Sequence, residues 1–486
     1  MATGPGKSNR KRAVRSSSRF GPRFDSATNK FDALHGTPPA RRDDIAHPLI
    51  PPFPHSPIHP STHSNEPILS SYLPAIFDSA RDARERAITV TNVNLADSFA
   101  RHLAWTSDNP IGLEVVGAVG PTLRLSDGRE LIDLISGIAV SSLGHCHPEV
   151  VEVVREQVGR HMHVMVYGEL IQTPQVRFAE RLASVLPDKL STVYFTMTGT
   201  EANEGALKLA RKHTGRSKFV SFDRSYHGDT MGSLSVTGRD VYRRPFEPLV
   251  PGVSFLPYND AVALDSIDES IAAVIIEPVQ GEGGIRVPST EFMQALRHRC
   301  DETGSLLIFD EIQTGFGRTG RLFAFEHFGV VPDIITFAKA MGGGMPLGAF
   351  VSSGRVFDSF RRDPPLSHVT TFGGHPVSCA AALKTLEILI RDDLSDRANR
   401  IGEHIRGRLD HPLIVEIRGL GAMLGLVLAS DHATEKVVRY CLDGGVLLGW
   451  TLHSNNLIRI APPLTIPFDT LDHALDVILR GLQAIG

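Results

Sequence analysis

Two short apolar runs, each followed by a charged residue, dominate the hydrophobic pattern between residues 305 and 348. The run from Leu306 to Phe309 predicts a buried strand that delivers Asp310. The run from Ile334 to Phe337 predicts a second buried strand that delivers Lys339. Continuous apolar runs bounded by glycine-rich turns are typical of a parallel sheet covered on both faces. Ligands bind at the carboxyl ends of such strands, so the pattern places a carboxylate and an amine at one edge of a sheet.

The rest of the pattern predicts alternating strands and helices, the arrangement of an α/β fold. Further buried strands are predicted at 218–223 and 272–276, and hairpins at Asp127–Gly128 and within 418–428. Helices are predicted from Gly199, from Pro148, from Ser378 and over 437–442. Thr198 and Glu201 have the S/T-x-x-E spacing of a capping box.

A carboxylate beside a neutral lysine suits pyridoxal phosphate, which is held by a lysine Schiff base with an acid on its pyridinium nitrogen. Burial lowers the pKa of a lysine, and only the neutral amine attacks an aldehyde. The alternative is that Asp310 and Lys339 are strand-end charges facing solvent, as most lysines are. The chain has ten lysines against forty arginines, so a lysine between Ala338 and Ala340 favours a chemical role. Arginine does not deprotonate and could not replace it.

The helix predicted from Gly199 begins with free backbone N–H groups and the positive end of its dipole, which together form a phosphate site. By itself this segment would be only a capped helix. Together with Asp310 and Lys339 it becomes a candidate cradle for a cofactor phosphate.

Composition sets broad limits on the protein. A chain of 486 residues can hold two or three domains. Its net charge of −4 favours neither a nucleic-acid nor a membrane surface, and no apolar run reaches the ~18 residues of a membrane span. The four cysteines are far apart, which is typical of a reduced protein without disulfides, so we expect a cytoplasmic enzyme.

Residues 1–67 are rich in Pro, Ser, Arg and His and lack apolar periodicity, so we expect a disordered tail. Seven basic residues and no acid in the first 24 also fit an organelle transit peptide. His55, His59 and His63 have helical spacing for a metal site, but the prolines between them argue against a helix. Residues 68–93 predict a short helical entry to the folded part.

Several polar residues invite more than one interpretation. His145, Cys146 and His147 resemble metal ligands, yet no further ligands follow at suitable spacing, and we expect a turn and no metal site. Glu277 and Glu282, in E-P-V-Q-G-E-G-G, are either solvated loop acids or part of a site. Arg459 lies in an otherwise apolar strand, where a buried guanidinium needs a partner such as a carboxylate.

The segments D-E-I-Q-T-G-F-G-R-T-G and P-D-I-I-T-F-A-K-A-M-G-G-G-M-P-L-G-A resemble the signature of class III pyridoxal-phosphate aminotransferases. That group includes the acetylornithine, ornithine and 4-aminobutyrate aminotransferases, and the resemblance extends from about Asn109 to the C-terminus. It implies the α/β fold type I of these enzymes, with a large doubly wound, mostly parallel sheet domain at 131–375. A small α/β domain would combine residues 376–486 with the segment 68–130.

The resemblance also implies roles for individual residues, with pyridoxal 5'-phosphate as the cofactor. Lys339 and Asp310 would be catalytic, and Arg459 would bind the substrate carboxylate with Glu282 nearby. The backbone amides of Gly199 and Thr200 would bind the cofactor phosphate, and Tyr226 and Ile312 would cover the two faces of the cofactor ring. Gln313 would contact the phenolic oxygen of that ring. Thr371 would bind the phosphate of the cofactor held by the partner subunit. The last contact implies a homodimer with shared active sites.

One position departs from the family pattern. Acetylornithine, ornithine and 4-aminobutyrate aminotransferases carry an arginine that binds a substrate carboxylate where this chain has Asp229, in Y-H-G-D-T. Y-H-G-D-T is more similar to the biotin-synthesis aminotransferase that acts on 8-amino-7-oxononanoate. We therefore expect an ω-amine, diamine or amino-acid donor and an oxo-acid acceptor, either 2-oxoglutarate or pyruvate, in a ping-pong reaction.

Three other functions compete with this transamination. One is decarboxylating transamination or an aminomutase on the same scaffold, and the decarboxylating members lack Q-G-E-G-G. Another is a non-catalytic binding protein, against which the intact Lys339 and Asp310 argue. A nucleotide-binding dehydrogenase is excluded because no predicted strand is followed by G-x-G-x-x-G.

Overall fold

The computed structural model describes residues 95–166, 168–451 and 454–485. The hypotheses about the tail, its three histidines and the helical entry at 68–93 concern residues outside these ranges. Phe99–Gly486 forms one compact unit. Within the described ranges, no helix combines the length and the apolar character needed to cross a membrane.

The described chain begins with helix α1 (Leu95–His102) and three strands, β1 (Val115–Val119), β2 (Thr122–Leu125) and β3 (Glu130–Asp133). Strands β2 and β3 form the predicted hairpin, with Leu123 opposite Leu131. Gly128 in its turn has a φ of +86°, which glycine adopts without a steric penalty. Three helices follow: α2 (Ser136–Ala139), α3 (Pro148–Arg160) and α4 (Thr173–Ala183). Pro148 occupies the first turn of α3, as predicted.

A seven-stranded sheet comes next and forms the centre of the fold. Its strands and helices are β4 (Thr192–Thr196), α5 (Gly199–Thr214), β5 (Lys218–Phe222), α6 (Met231–Ser235), α7 (Asp240–Arg243), β6 (Val253–Leu256), β7 (Ile271–Ile276), α8 (Thr290–Thr303), β8 (Leu306–Asp310), β9 (Ile334–Phe337), β10 (Gly348–Ser352) and α9 (Gly354–Phe357). The strand order is β4-β10-β9-β8-β7-β5-β6, and β10 alone runs antiparallel to its neighbours in this sheet.

Both faces of this sheet are buried, which explains the continuous apolar runs. Every residue of β7 is buried. Val274 and Ile276 belong to one apolar core, whereas Ala273 and Ile275 belong to another. Successive side chains of a strand point to opposite faces, so the two cores lie on opposite faces of the sheet. The predicted doubly wound α/β fold is confirmed.

The C-terminal part contains α10 (Pro376–Arg391), α11 (Leu394–Arg408), β11 (Ile414–Leu420), β12 (Met423–Leu428), α12 (Asp431–Asp443), β13 (Val446–Leu447), β14 (Gly449–Thr451), β15 (Ser454–Ile460) and α13 (Phe468–Gln483). Strands β11-β12-β15-β14 form an antiparallel sheet. Strand β13 instead pairs in parallel with β3, so this part shares a sheet with the N-terminal hairpin.

Two helices begin earlier than the sequence predicts, and each start has a local cause. Helix α10 begins at Pro376 rather than Ser378 because proline is accommodated in the first turn. Helix α12 begins at Asp431 rather than Val437, since the Ser430 hydroxyl accepts a hydrogen bond from Ala433 N at 3.1 Å.

Candidate active site

A cavity of about 720 Å³ opens at the carboxyl ends of β8 and β9. Its volume suits a cofactor together with a small substrate. Most of the residues singled out from the sequence line it, namely Gly199, Thr200, Tyr226, Asp229, Glu282, Asp310, Ile312, Gln313 and Lys339.

Asp310 is the last residue of β8 and is buried among hydrogen-bond donors. His227 Nδ1 lies 2.7 Å from Asp310 Oδ2, and Asn203 Nδ2 donates to the same oxygen at 2.8 Å. The backbone N–H of Ile312 donates to Oδ1. A carboxylate can only accept, so His227 donates through Nδ1. These donors hold the Asp310 carboxylate in one orientation at the cavity wall.

Lys339 follows β9 at the opening of a short 3₁₀ turn and is half-buried. Its φ of +45° lies in the left-handed region, which is uncommon for a residue with a side chain. Burial lowers the pKa of its amine, and this effect outweighs the opposing influence of the Glu282 and Asp310 carboxylates. The neutral amine needed for attack on a carbonyl is therefore easier to form here than in water.

The predicted capping box at the start of α5 is confirmed. Thr198 Oγ1 accepts a hydrogen bond from Glu201 N at 3.2 Å, while Glu201 Oε2 accepts one from Thr198 N at 3.1 Å. The first helical residue is Gly199, where an added Cβ would lie 2.7 Å from Ile312 Cδ1. Glycine therefore lets Ile312 pack closely against the helix N-terminus. The first amides of α5 border the cavity and lack intrahelical acceptors, so they are available to an anion.

Tyr226 and Asp229 are joined at the cavity wall. The Tyr226 hydroxyl donates a hydrogen bond to Asp229 Oδ2 at 2.8 Å. Burial, and then this carboxylate, raise the pKa of the Tyr226 phenol well above its usual range. Asp229 itself is exposed and lines the cavity. It therefore presents an acid to any molecule that enters.

Glu277 and Glu282 are buried, each only 6% exposed, so the interpretation as solvated loop acids is wrong. Glu277 accepts hydrogen bonds from Tyr226 N at 3.1 Å and from Gly281 N at 3.0 Å. Burial raises the pKa of Glu277 to about 7. Two backbone N–H groups explain how a carboxyl group is accommodated at this depth.

Glu282 forms a buried ion pair with Arg459, which comes from β15. The guanidinium predicted to need a partner thus has a carboxylate partner within the chain. Removing one member of a buried pair leaves a charge uncompensated. An incoming carboxylate would compete with Glu282 for the Arg459 guanidinium.

The structure places Thr371 apart from this cavity. It is exposed, in the loop before α10, and is absent from the residues that line the cavity. His145 also has a defined position, with Nε2 lying 2.9 Å from Asp133 Oδ2. The imidazole of His145, in the turn before α3, is thus paired with the carboxylate of Asp133 at the end of β3.

The residues present fit pyridoxal phosphate. The buried amide oxygen of Gln313 lines the cavity and has no hydrogen-bond partner among the residues that the structure describes. An amide left in this state indicates a ligand that completes it. A carboxylate, an amine of lowered pKa and a helix N-terminus surround the same space. These are the groups that a pyridinium, an aldehyde and a phosphate require.

Sequence reasoning missed Asn203 and His227 as partners of Asp310. Asn203 lies within α5, and its Oδ1 accepts a hydrogen bond from the Thr336 hydroxyl on β9 at 2.8 Å. Its position on the inner face of an otherwise Ala- and Leu-rich helix was a usable signal. His227 directly follows Tyr226 after β5, and its place at a strand end was a similar one.

Comparisons with known proteins agree with this geometry. A model of the aminotransferase class-III family matches residues 104–482. The chain is 45% identical over 390 residues to the acetylornithine aminotransferase of Methanopyrus kandleri, covering 79% of this chain and 97% of that protein. It is 40% identical over 390 residues to the mitochondrial acetylornithine aminotransferase of Alnus glutinosa, covering 76% and 84%.

Solved structures lead to the same group. An (S)-enantioselective omega-transaminase from Thermomicrobium roseum superposes with a TM-score of 0.73 at 31% identity, covering 80% of this chain and 98% of that one. The ornithine aminotransferase of Toxoplasma gondii, described with partial occupancy of PLP at its active site, gives a TM-score of 0.74 at 30% identity, covering 84% and 97%.

Proposed function

Because this chain belongs to the class-III aminotransferases, which use pyridoxal 5'-phosphate, we propose that it moves an amino group from an ω-amine or amino-acid donor to an oxo acid. The acceptor would be 2-oxoglutarate or pyruvate, and the two half-reactions would follow each other in a ping-pong cycle. The observation that carries the proposal is the placement of Lys339 and Asp310 at adjacent strand ends on one cavity.

When bound, pyridoxal phosphate supplies an aldehyde that captures amines and a ring that withdraws electrons from the carbon losing its proton. Lys339 Nζ would hold the cofactor. It would then move the proton from the substrate carbon to the cofactor, first as general base and then as general acid. Its lowered pKa favours the base form. The Asp310 carboxylate, oriented by His227 and Asn203, would keep the ring nitrogen protonated.

The remaining cofactor contacts would come from the cavity wall. The first amides of α5, at Gly199 and Thr200, would bind the phosphate. Tyr226 and Ile312 would cover the two ring faces, and the side-chain amide of Gln313 would form a hydrogen bond with the phenolic oxygen.

Acceptor binding would depend on the buried pair of Glu282 and Arg459. The oxo-acid carboxylate can offer Arg459 the bidentate contact that planar guanidinium groups favour. Glu282 must then release Arg459 and remain a buried acid beside Lys339. We propose that the ion pair between Glu282 and Arg459 stays intact while the site holds a donor that has no carboxylate to offer Arg459.

Donor choice would depend on Asp229. An exposed acid at the cavity wall disfavours a donor that carries a carboxylate there and favours a neutral or cationic end. We therefore favour an ω-amine or a diamine. The relatives named acetylornithine aminotransferase make N-acetylornithine the second candidate.

We further propose a homodimer with shared active sites. Thr371 is exposed and lies away from its own cavity, so a phosphate contact would have to be made in a second copy. Large apolar side chains are also exposed on two segments, including Met162, Ile171, Leu366 and Phe372. Exposed apolar groups on this scale are typical of a protein–protein interface.

We also propose that the chain divides into a cofactor domain at 131–375 and a small domain made from 68–130 and 376–486.

The test is the chemistry of Lys339. Purified wild-type protein should be yellow and lose that colour when its amine donor is added. Borohydride should fix the cofactor covalently, and peptide mapping should find it on Lys339. Lys339→Ala should lose turnover and still bind cofactor weakly, whereas Lys384→Ala, which removes a lysine from a surface ion pair on α10, should behave as wild type. Labelling at another lysine would refute the assignment.

A further inference from the structure

Residues 281–287, called the strap here, lie across one face of the C-terminal antiparallel sheet. Arg418 on β11 is opposite Gly425 on β12, which is opposite Arg459 on β15. Directly paired residues share a face of a sheet, so the two arginines lie in one row with a glycine between them. A Cβ on Gly425 would be 3.1 Å from Ile285 Cβ, so the strap passes over that glycine.

The strap is held tightly at its centre. Ile285 is fully buried and packs in an apolar cluster with Met423 and Leu457. Its φ of +52° is a strained conformation for a β-branched residue. Burial of Ile285 over Gly425 therefore maintains a backbone shape that the local sequence disfavours.

The two ends of the strap differ in charge balance. At one end Glu282 pairs with Arg459. At the other end, Arg286 lines a second cavity, of about 450 Å³, together with Arg418. Its remaining lining residues are Tyr258, Asn259, Val287 and Glu416. Among the described residues, Arg286 forms no ion pair like that of Arg459, and the acid in this cavity, Glu416, pairs with Arg418.

Both guanidinium groups in this second cavity have donors without an acceptor. Within the described ranges, the buried Nε of Arg286 and that of Arg418 make no hydrogen bond. In the described part of the chain, the one carboxylate paired with Arg418 is that of Glu416, which is exposed and lies 3.4 Å away. Burial, followed by the neighbouring cations Arg224 and Arg418, lowers the pKa of the Arg286 guanidinium. Buried donors without acceptors and clustered like charges are both unfavourable. An anion bound between the two guanidinium groups relieves the repulsion between them.

We propose that Arg286 and Arg418 form a binding site for a small oxyanion of the phosphate or sulfate type. The guanidinium fork matches the oxygens of such an anion, and two forks from different elements can bind it from two sides. The anion would join the end of the strap to β11. It would thereby restrain the segment whose other end holds Glu282, outside the cavity that takes cofactor and substrate.

Calorimetric titration of inorganic phosphate into the holoenzyme tests this site, because the bound cofactor already fills the catalytic phosphate cradle. At constant ionic strength set with sodium chloride, wild type should show one saturable event per chain. Arg286→Gln and Arg418→Gln should each weaken it at least tenfold. Arg400→Gln, which removes an exposed arginine paired with Asp396, should leave it unchanged. The absence of saturable binding in wild type, or binding that persists in both variants, would overturn the proposal.

Hydrogen exchange on wild type provides a second measurement that requires no variant. Phosphate, compared with chloride, should slow exchange of the backbone amides at 284–288 and 415–419. Unchanged exchange in both segments would also overturn the proposal, even if the variants failed to fold.

Discussion

At the scale of single residues, the environment of each charged side chain decides its chemistry. Lys339 and Arg459 are both basic residues near Glu282, yet burial lowers the pKa of the lysine, whereas the arginine holds an ion pair. The first residue can move a proton, and the second can recognise a carboxylate. Neither could take the other's place.

Arg459→Ala should raise the KM of the oxo-acid acceptor strongly and reduce kcat/KM by more than tenfold. Losing a charge-assisted contact while a buried partner remains unpaired costs about 2–5 kcal/mol. Stopped-flow measurement of each half-reaction should place the loss in the acceptor half. Glu282→Gln, which frees Arg459 from its ion pair, should leave acceptor affinity intact or improve it. An unchanged acceptor KM in Arg459→Ala would contradict this role.

Asp229→Arg should shift donor preference toward molecules with an acidic end. The substitution replaces the acid at the cavity wall with a cation that can bind a carboxylate. Rates with a diamine should fall relative to those with 4-aminobutyrate and N-acetylornithine. Asp229→Asn, which only removes the charge, should show a smaller change in the same direction. A wild type that already prefers the acidic donors, with Asp229→Arg having no effect, would mean that Asp229 does not contact the donor.

At the scale of elements, buried carboxyl groups support the turns behind the cavity. Glu311 follows β8 and is fully buried. It accepts hydrogen bonds from Ala324 N at 2.6 Å and Phe325 N at 2.8 Å, which fixes the start of the 3₁₀ turn Ala324–His327. Burial raises the pKa of Glu311 to about 7 despite these donors.

This raised pKa predicts that stability falls as pH rises. The folded state holds the Glu311 proton up to pH about 7, whereas the unfolded state releases it near pH 4.3. Between these values the unfolded state binds fewer protons, so the free energy of unfolding decreases with rising pH. For Glu311 the loss is at most about 4 kcal/mol.

Glu311→Gln should therefore flatten the decrease in Tm between pH 5 and pH 7.5, measured by calorimetry. Glu277, whose pKa is also raised to about 7, should account for part of the slope that remains. Glu180→Gln, at an exposed position on α4, should keep the wild-type slope. A Glu311→Gln slope equal to that of wild type would show that the buried carboxyl is not the titrating group.

At the scale of the whole molecule, the site combines residues from distant parts of the chain. Asp310 and Lys339 reach the cavity from the seven-stranded sheet. Arg459, from the C-terminal antiparallel sheet, does not line the cavity but pairs with Glu282, which does. Thr371 remains outside this assembly within one chain. A second copy is the proposed source of that last contact.

Mixing Lys339→Ala with Thr371→Ala protein should restore activity through hybrid dimers. In a hybrid, one site has the intact lysine of one chain and the intact threonine of the other. Random exchange between equal amounts should yield about a quarter of the wild-type sites. Activity should follow hybrid formation after brief dissociation and reassociation. No recovery, or a fully active monomer at high dilution, would argue against shared sites.

The strands that end near Asp310 and Lys339, and the capped start of helix α5, could be predicted from the sequence alone. Strands β8 and β9, with Asp310 and Lys339 at or just after their ends, follow from continuous apolar runs, since a sheet covered on both faces requires them. The capping box of Thr198 and Glu201 depends on residues three apart, so its spacing alone predicted it.

The contacts between side chains distant in the chain could not be predicted in this way. Glu282 and Arg459 are separated by 177 positions, and Asn203 and Asp310 by 107, so no local pattern links them. Whether Glu277 and Glu282 were solvated or buried also depended on packing, because a glutamate is buried only where the fold supplies a partner for it. Local interactions act between neighbours in the chain and can be predicted from it, whereas burial and ion pairing depend on the three-dimensional arrangement of the elements.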